Sequence, residues 1–170
     1  MSRLYSILVF AFVISLGALL LFSSGLGFQS LQTPPIKLGT SGGDLKDITS
    51  TYCCSGTLGS VVSKNGVHYI LSNSHVLARS GQASIGEDIS QPGLVDTNCG
   101  TSRYHVVADL SRFAQLGATT NADAALAKVR SGMVSSSGTI LGVGVPSKTP
   151  TNAVANMHVA KAGRTTQRAY

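Results

Sequence analysis

Two residues in this chain are of types and in settings where proton chemistry is possible. His75 lies in YILSNSHVLA, Tyr69 to Ala78, where an apolar run yields to Ser72, Asn73 and Ser74, then an imidazole, before apolar residues resume. Asp123 lies in TTNADAALAKV, just ahead of a second apolar run that reads as a strand. Imidazole is the side chain whose ordinary pKa falls nearest neutrality. A carboxylate holding one ring nitrogen fixes the tautomer and stabilises the imidazolium that forms when the other nitrogen takes a proton. Paired, the two would make a general base with its orienting acid. Singly, each has a plainer use: a histidine satisfying a local hydrogen bond, an aspartate capping a turn. The other acids fit less well, since Asp88 and Asp96 lie in a Gly/Pro-rich loop and Asp109 sits inside an apolar stretch. His68, His105 and His158 stand beside apolar strand residues without a motif, and His68 is expected on the solvent side of its strand.

The elements that must bring His75 and Asp123 together are short. From Ser55 onward the chain offers GTLGSVVS, VHYILS, HVVADL, AALAKV, GTILGVG and MHVAKAG, bounded by Gly, Asn, Asp and Ser. Brief β-branched runs with glycine-rich punctuation predict an all-β barrel or sandwich. Asn65-Gly66 between two such runs predicts a tight hairpin. A helical turn is conceivable in VADLSRFAQL. Residues 28–51, rich in Pro, Gly, Ser and Thr, read as a flexible lead-in to a domain over 52–170.

Leu4 to Phe22 is almost wholly apolar and follows one basic residue, Arg3. As a helix, its 19 residues would cover roughly 28 Å, close to the thickness of a bilayer's hydrocarbon. Residues 1–27 are thus expected to be a signal peptide or an N-terminal membrane anchor, which places the protein outside the cytoplasm: extracellular or periplasmic, or membrane-anchored by that helix alone. The formal charge of +6 is carried by scattered residues, with no Lys/Arg run and no aromatic interleaving, so no nucleic-acid partner is expected. In an exported protein one of the adjacent Cys53 and Cys54 is expected to bond Cys99, leaving the other free or paired outside the chain. No CxxC, HExxH or Cys/His cluster with zinc spacing occurs, so neither a metal nor another cofactor is expected.

The ordered set GTLGSVV, NGVHYILSNSHVLA, GEDISQPG, NADAALAKV and VAKAGRTT resembles the trypsin-like serine protease family, in a bacterial branch related to the plant Narrow-leaf proteins. The resemblance covers roughly Gly56 to Thr166. It implies the first barrel of a trypsin-like double β-barrel with an incomplete second barrel, preceded by the N-terminal apolar helix. It also implies His75 as general base, Asp123 as its orienting acid, and a protein or peptide substrate. In that family the serine nucleophile comes third, in a G-D/N-S-G turn, and no such turn follows Asp123. Ser135, Ser136 and Ser137 lie only 12 to 14 residues past the acid, and Ser55 precedes the histidine. Val76 stands where many animal members have a cysteine after the histidine. The expectation is an exported serine endopeptidase homologue, truncated before its nucleophile and inactive as this chain, with a second-barrel segment missing. The alternative is a non-catalytic cell-surface binding or scaffold domain of the same fold. GRTT is expected to be a turn and strand start, with Arg164 solvated or structurally paired.

Overall fold

The computed structural model describes residues 27–100, 103–114, 117 and 121–170; the expected leader, apart from Gly27, lies outside the described residues. Among the described residues no helix is long and apolar enough to cross a membrane.

The fold is all-β. Seven strands form one antiparallel sheet: β1 (Thr40–Asp44), β2 (Gly56–Leu58), β3 (Ser60–Lys64), β4 (Val67–Ser72), β5 (Asp88–Gln91), β6 (His105–Phe113) and β7 (Ala125–Val129). Their spatial order is β2-β1-β5-β6-β7-β4-β3. The two edge strands are consecutive in the chain, separated only by Gly59, so the sheet must curl back on itself like a barrel wall. The corner demands glycine: a Cβ at Gly59 would sit 2.5 Å from the Leu71 carbonyl oxygen. Bulges at Ile89/Ser90 and Leu110/Arg112 add to the bend. β3 and β4 form the expected hairpin, with Asn65 (φ 51°) and Gly66 (φ 76°) both left-handed as a two-residue primed turn requires.

The concave face gathers Leu58, Ile70, Ile89, Leu110 and Ala127, all essentially without solvent exposure. Small residues matter as much as large ones here. Ala108, Ala125 and Ala127 let β6 and β7 approach what packs over them.

Three expectations are corrected. Residues 28–51 are not a loose lead-in: β1 is buried along its whole length, and Phe28, Ile36 and Leu38 belong to the core. The apolar alternation Ile36–Leu38 is too short to stand out among Pro, Gly and Ser, and TSGGD is buried because its side chains are small rather than apolar. VADLSRFAQL carries no helical turn over 107–113, which are strand, because β6 is hydrogen-bonded on both sides, to β5 and β7. GTILGVG contributes only isolated bridges, at Leu38–Ile140 and Ile140–Gly144, and of MHVAKAG only the end is strand. That strand, β8 (Lys161–Gly163), pairs with β9 (Gln167–Ala169) in a separate two-stranded sheet.

Covalent and polar ties hold the ends of this architecture. Cys53 bonds Cys99 across a Cα–Cα distance of 5.6 Å, leaving Cys54 free and exposed. The β8–β9 hairpin is held to the large sheet through Arg164. Its backbone N–H donates to Thr57 Oγ1 at 3.0 Å, and its Nε and Nη2 donate to the two Asp96 oxygens, each at 2.7 Å. Ser41 Oγ also donates to Asp96. The Asp96 hydrogen bonds raise the Arg164 pKa against the opposing effect of burial, so this ion pair is structural. Removing one partner of such a shielded pair strands the other charge. Arg164→Ala is expected to cost about 3 kcal/mol of unfolding free energy, read from urea denaturation, and Arg164→Ala with Asp96→Ala is expected to cost less than the two single substitutions summed.

Candidate active site

The register between β4 and β7 builds the site. Ser72, the last residue of β4, pairs with Ala125, the first of β7. Whatever follows Ser72 by a few residues therefore meets whatever precedes Ala125. Beyond Ser72 the chain turns into α1 (Ser74–Leu77), a single helical turn with Asn73 at its N-cap. Val76, Leu77 and Ala78 are buried, and Ser74 is fully buried with Oγ donating to the Ala114 carbonyl at 3.1 Å. These contacts sink the other sides of the turn and leave His75 facing outward. The polar interruption in YILSNSHVLA is thus a strand end, a cap and one exposed helical position.

His75 meets Asp123. Its Nδ1 lies 2.5 Å from Asp123 Oδ2, and its backbone N–H donates to Oδ1 at 3.1 Å. Asn73 Nδ2 donates to the same carboxylate at Oδ2 (3.2 Å) and to the Asp123 carbonyl (3.1 Å). Partial burial works to raise the Asp123 pKa. The hydrogen bonds from the His75 ring, the His75 backbone and Asn73, with the nearby imidazole charge, outweigh it and hold the carboxyl below its usual range. An ionised carboxylate only accepts, so Nδ1 carries a proton, and in the neutral ring Nε2 then holds the free lone pair. This is the electronic state of a general base. Neither partner is enclosed: the side chain of Asp123 keeps 33% of its exposure and that of His75 keeps 56%.

A cleft of about 480 Å³ opens beside the imidazole, lined in part by Asp47, Tyr52, Cys54, Ser55 and Arg79. Two serines line it: Ser55 Oγ accepts the Val95 N–H at 2.9 Å, and neither Ser55 nor Ser80 is hydrogen-bonded to His75. The free thiol of Cys54 is pushed up in pKa by burial and by the neighbouring Asp47, which keeps it protonated. The hydroxyls of Ser135, Ser137 and Thr139 bond one another at 2.7 to 3.3 Å, and Ser136 and Ser137 line a different cavity with His68. Among the described residues no hydroxyl is hydrogen-bonded to His75.

The remaining candidates are dispersed. His68 is half-buried opposite Ser63, His105 pairs with Gln91 across β5–β6, and His158 is exposed. Asp88 and Asp109 converge on Arg130, whose Nη2 donates to them at 2.7 and 2.6 Å. Among the described residues no group of three or more His, Cys, Asp or Glu is placed to hold a metal ion. Sequence reasoning missed Asn73, because an asparagine among small polar residues carries no mark of the carboxylate it meets 50 positions later. It also missed the polar floor behind the cleft, whose members Asp44, Arg79 and Glu87 lie 8 to 43 residues apart in the chain. Comparison with protein-family models, with curated proteins and with solved structures finds no match.

That floor titrates. Asp44 has no solvent exposure; its Oδ1 accepts the Lys46 N–H at 2.7 Å, and its Oδ2 has no charged-state partner, with Arg79 Nε 3.9 Å away. Burial, joined by the adjacent Glu87, lifts its pKa to about 7 against the Lys46 N–H and Arg79. Glu87 is nearly buried, which works upward. Hydrogen bonds from the Ser84 backbone, Asp44, Arg79 and Lys46 bring it down to about 2. Between those values Asp44 is a neutral acid donating its proton to the Glu87 carboxylate, which gives Oδ2 its partner.

The folded protein then keeps on Asp44 a proton that the unfolded chain has released, so stability falls as pH rises from about 4 to about 7. Glu87, with its folded pKa depressed, contributes stability that is lost as pH falls from 4.5 toward 2. The melting temperature is expected to be higher near pH 5 than near pH 8, and Asp44→Asn is expected to flatten that difference in thermal melts followed by circular dichroism.

Proposed function

We infer that this chain carries the proton-relay half of an exported trypsin-like serine endopeptidase homologue, with His75 as general base and Asp123 as orienting acid. The observation that carries the reading is the 2.5 Å contact between His75 Nδ1 and Asp123 Oδ2, made where two paired antiparallel strands end. The order along the chain supports it: bent strand, hairpin, histidine element, aspartate element. So does the curled antiparallel sheet, read here as the first barrel of two, with β8–β9 as the start of the second.

In that chemistry His75 Nε2 takes the proton from a hydroxyl as its oxygen attacks a peptide carbonyl, and returns it to the leaving amine. Asp123 stays ionised throughout and stabilises the imidazolium. None of the hydroxyls that line the cleft is hydrogen-bonded to His75, so in this reading the attacking hydroxyl, with backbone N–H groups aimed at the developing oxyanion, is supplied from elsewhere. Without the hydroxyl no acyl-enzyme forms, and without the oxyanion donors a further factor of about 10²–10³ is lost. The half-exposed imidazole with no hydroxyl bonded to it, among the described residues, also favours a second reading: a non-catalytic binding or scaffold domain at the cell surface.

Casein hydrolysis and labelling by a fluorophosphonate separate the two readings. The purified chain alone is expected to do neither. The chain continued with whatever its gene encodes past codon 170 in any frame is expected to do both, and to lose about 10⁴-fold in kcat on Asp123→Asn. Labelling and turnover by the chain alone would overturn the expected inactivity. Silence of every extended form would leave the scaffold reading.

A further inference from the structure

A helix N-cap asparagine ordinarily turns its side chain back onto the N–H of the second or third helical residue. Asn73 has the backbone of a cap, with φ −72° and ψ 148°, yet makes no side-chain capping bond. The N–H it would serve, that of His75, is taken instead by Asp123 Oδ1 at 3.1 Å. The carboxylate thus caps α1 from the neighbouring strand end, and the asparagine side chain is released to do something else. Its Nδ2 reaches the Asp123 carbonyl at 3.1 Å and Oδ2 at 3.2 Å. Both partners are acceptors, so chemistry alone puts the amide nitrogen there rather than the oxygen. Asp123 Oδ2 consequently sits between two donors, Asn73 Nδ2 and His75 Nδ1, and cannot rotate toward water without losing both.

On the reading that His75 and Asp123 form a proton relay, we propose that Asn73 is its positioning residue: it clamps the Asp123 side chain and main chain so that Oδ2 faces Nδ1. The clamp comes from the residue two before the histidine, so orientation of the acid does not depend on any group beyond the β4–β7 junction. A carboxylate one-third exposed and left to itself would sample water-facing rotamers. Two bonds from one rigid amide, on the carbonyl and the carboxylate, restrict it at the backbone and at the side chain together. The position also explains why a partly exposed aspartate keeps so short a contact with an exposed imidazole. The same bonds place positive dipole on the carboxylate, in the direction of its lowered pKa.

The test uses NMR on the full chain, which needs no turnover. Three readouts serve: titration of the Asp123 carboxyl carbon, ring-nitrogen shifts that report which nitrogen of His75 carries the proton, and exchange of the Nδ1 proton with water. Asn73→Ala is expected to move the Asp123 midpoint upward and speed Nδ1 proton exchange roughly five- to tenfold, with amide dispersion unchanged because Asn73 is exposed. Asn73→Asp keeps the shape but sets a carboxylate where the amide donated. It is expected to raise the midpoint further and to deplete the Nδ1–H tautomer. Both variants matching the wild type in all three readouts, while Asp123→Asn still redistributes the ring proton, would overturn the role of Asn73 and leave the relay standing. An unchanged ring tautomer in Asp123→Asn would instead remove the relay itself.

Discussion

The antiparallel pairing of β4 with β7 is the constraint on which the rest depends. Its register places Ser72 opposite Ala125, and a strand end is where backbone leaves the ladder and side chains can face one another across a gap. Because the pairing is buried on its concave face by Ile70 and Ala127, a slip of one residue would turn these outward and is strongly disfavoured. The contact between His75 and Asp123 thus inherits the precision of a core pairing although both residues lie at the surface. Local groups refine it: the buried Ser74 and Val76 hold α1 down, and the carboxylate itself takes over the capping of that turn.

Much of the remaining order is polar, which suits a core built largely from alanine and single aliphatic residues. Arg164, Arg130 and Arg79 each gather one or two carboxylates from distant parts of the chain. Their energetic weight differs with shielding. The Arg130 group is about two-fifths exposed and is a surface pairing of small worth. The Arg164–Asp96 and Arg79–Glu87 pairs are well shielded, so losing either member leaves a charge without solvent. In the Arg79 group one carboxyl stays protonated below about pH 7, which reduces a crowded set of charges to a manageable one.

The site therefore stands between two levels of protection. Behind the cleft lies a buried floor of Asp44, Glu87 and Arg79; at its rim stands an imidazole more than half open to water. An imidazole in that position has its ring oriented by Asp123 but gains no exclusion of solvent. Exclusion needs a second wall opposite the cleft, and the proposed role of His75 rests on such a wall being supplied.

The sequence by itself determined the strand-rich character, the Asn65-Gly66 hairpin, the choice of His75 and Asp123 as partners, and that Cys99 would bond one of two adjacent cysteines. Those features are written in local chemistry: β-branched runs, a dipeptide suited to positive φ, a polar break inside an apolar stretch. Tertiary structure decided the rest. It made TSGGD a buried strand, because small residues enter a core by fitting rather than by hydrophobicity, and no composition signal marks that. It chose Cys53 over Cys54, and it set the Asn73 side chain on Asp123. It also assembled Asp44, Arg79 and Glu87 from separate elements, because a hydrogen bond between residues tens of positions apart exists only once the sheet has curled to bring them together.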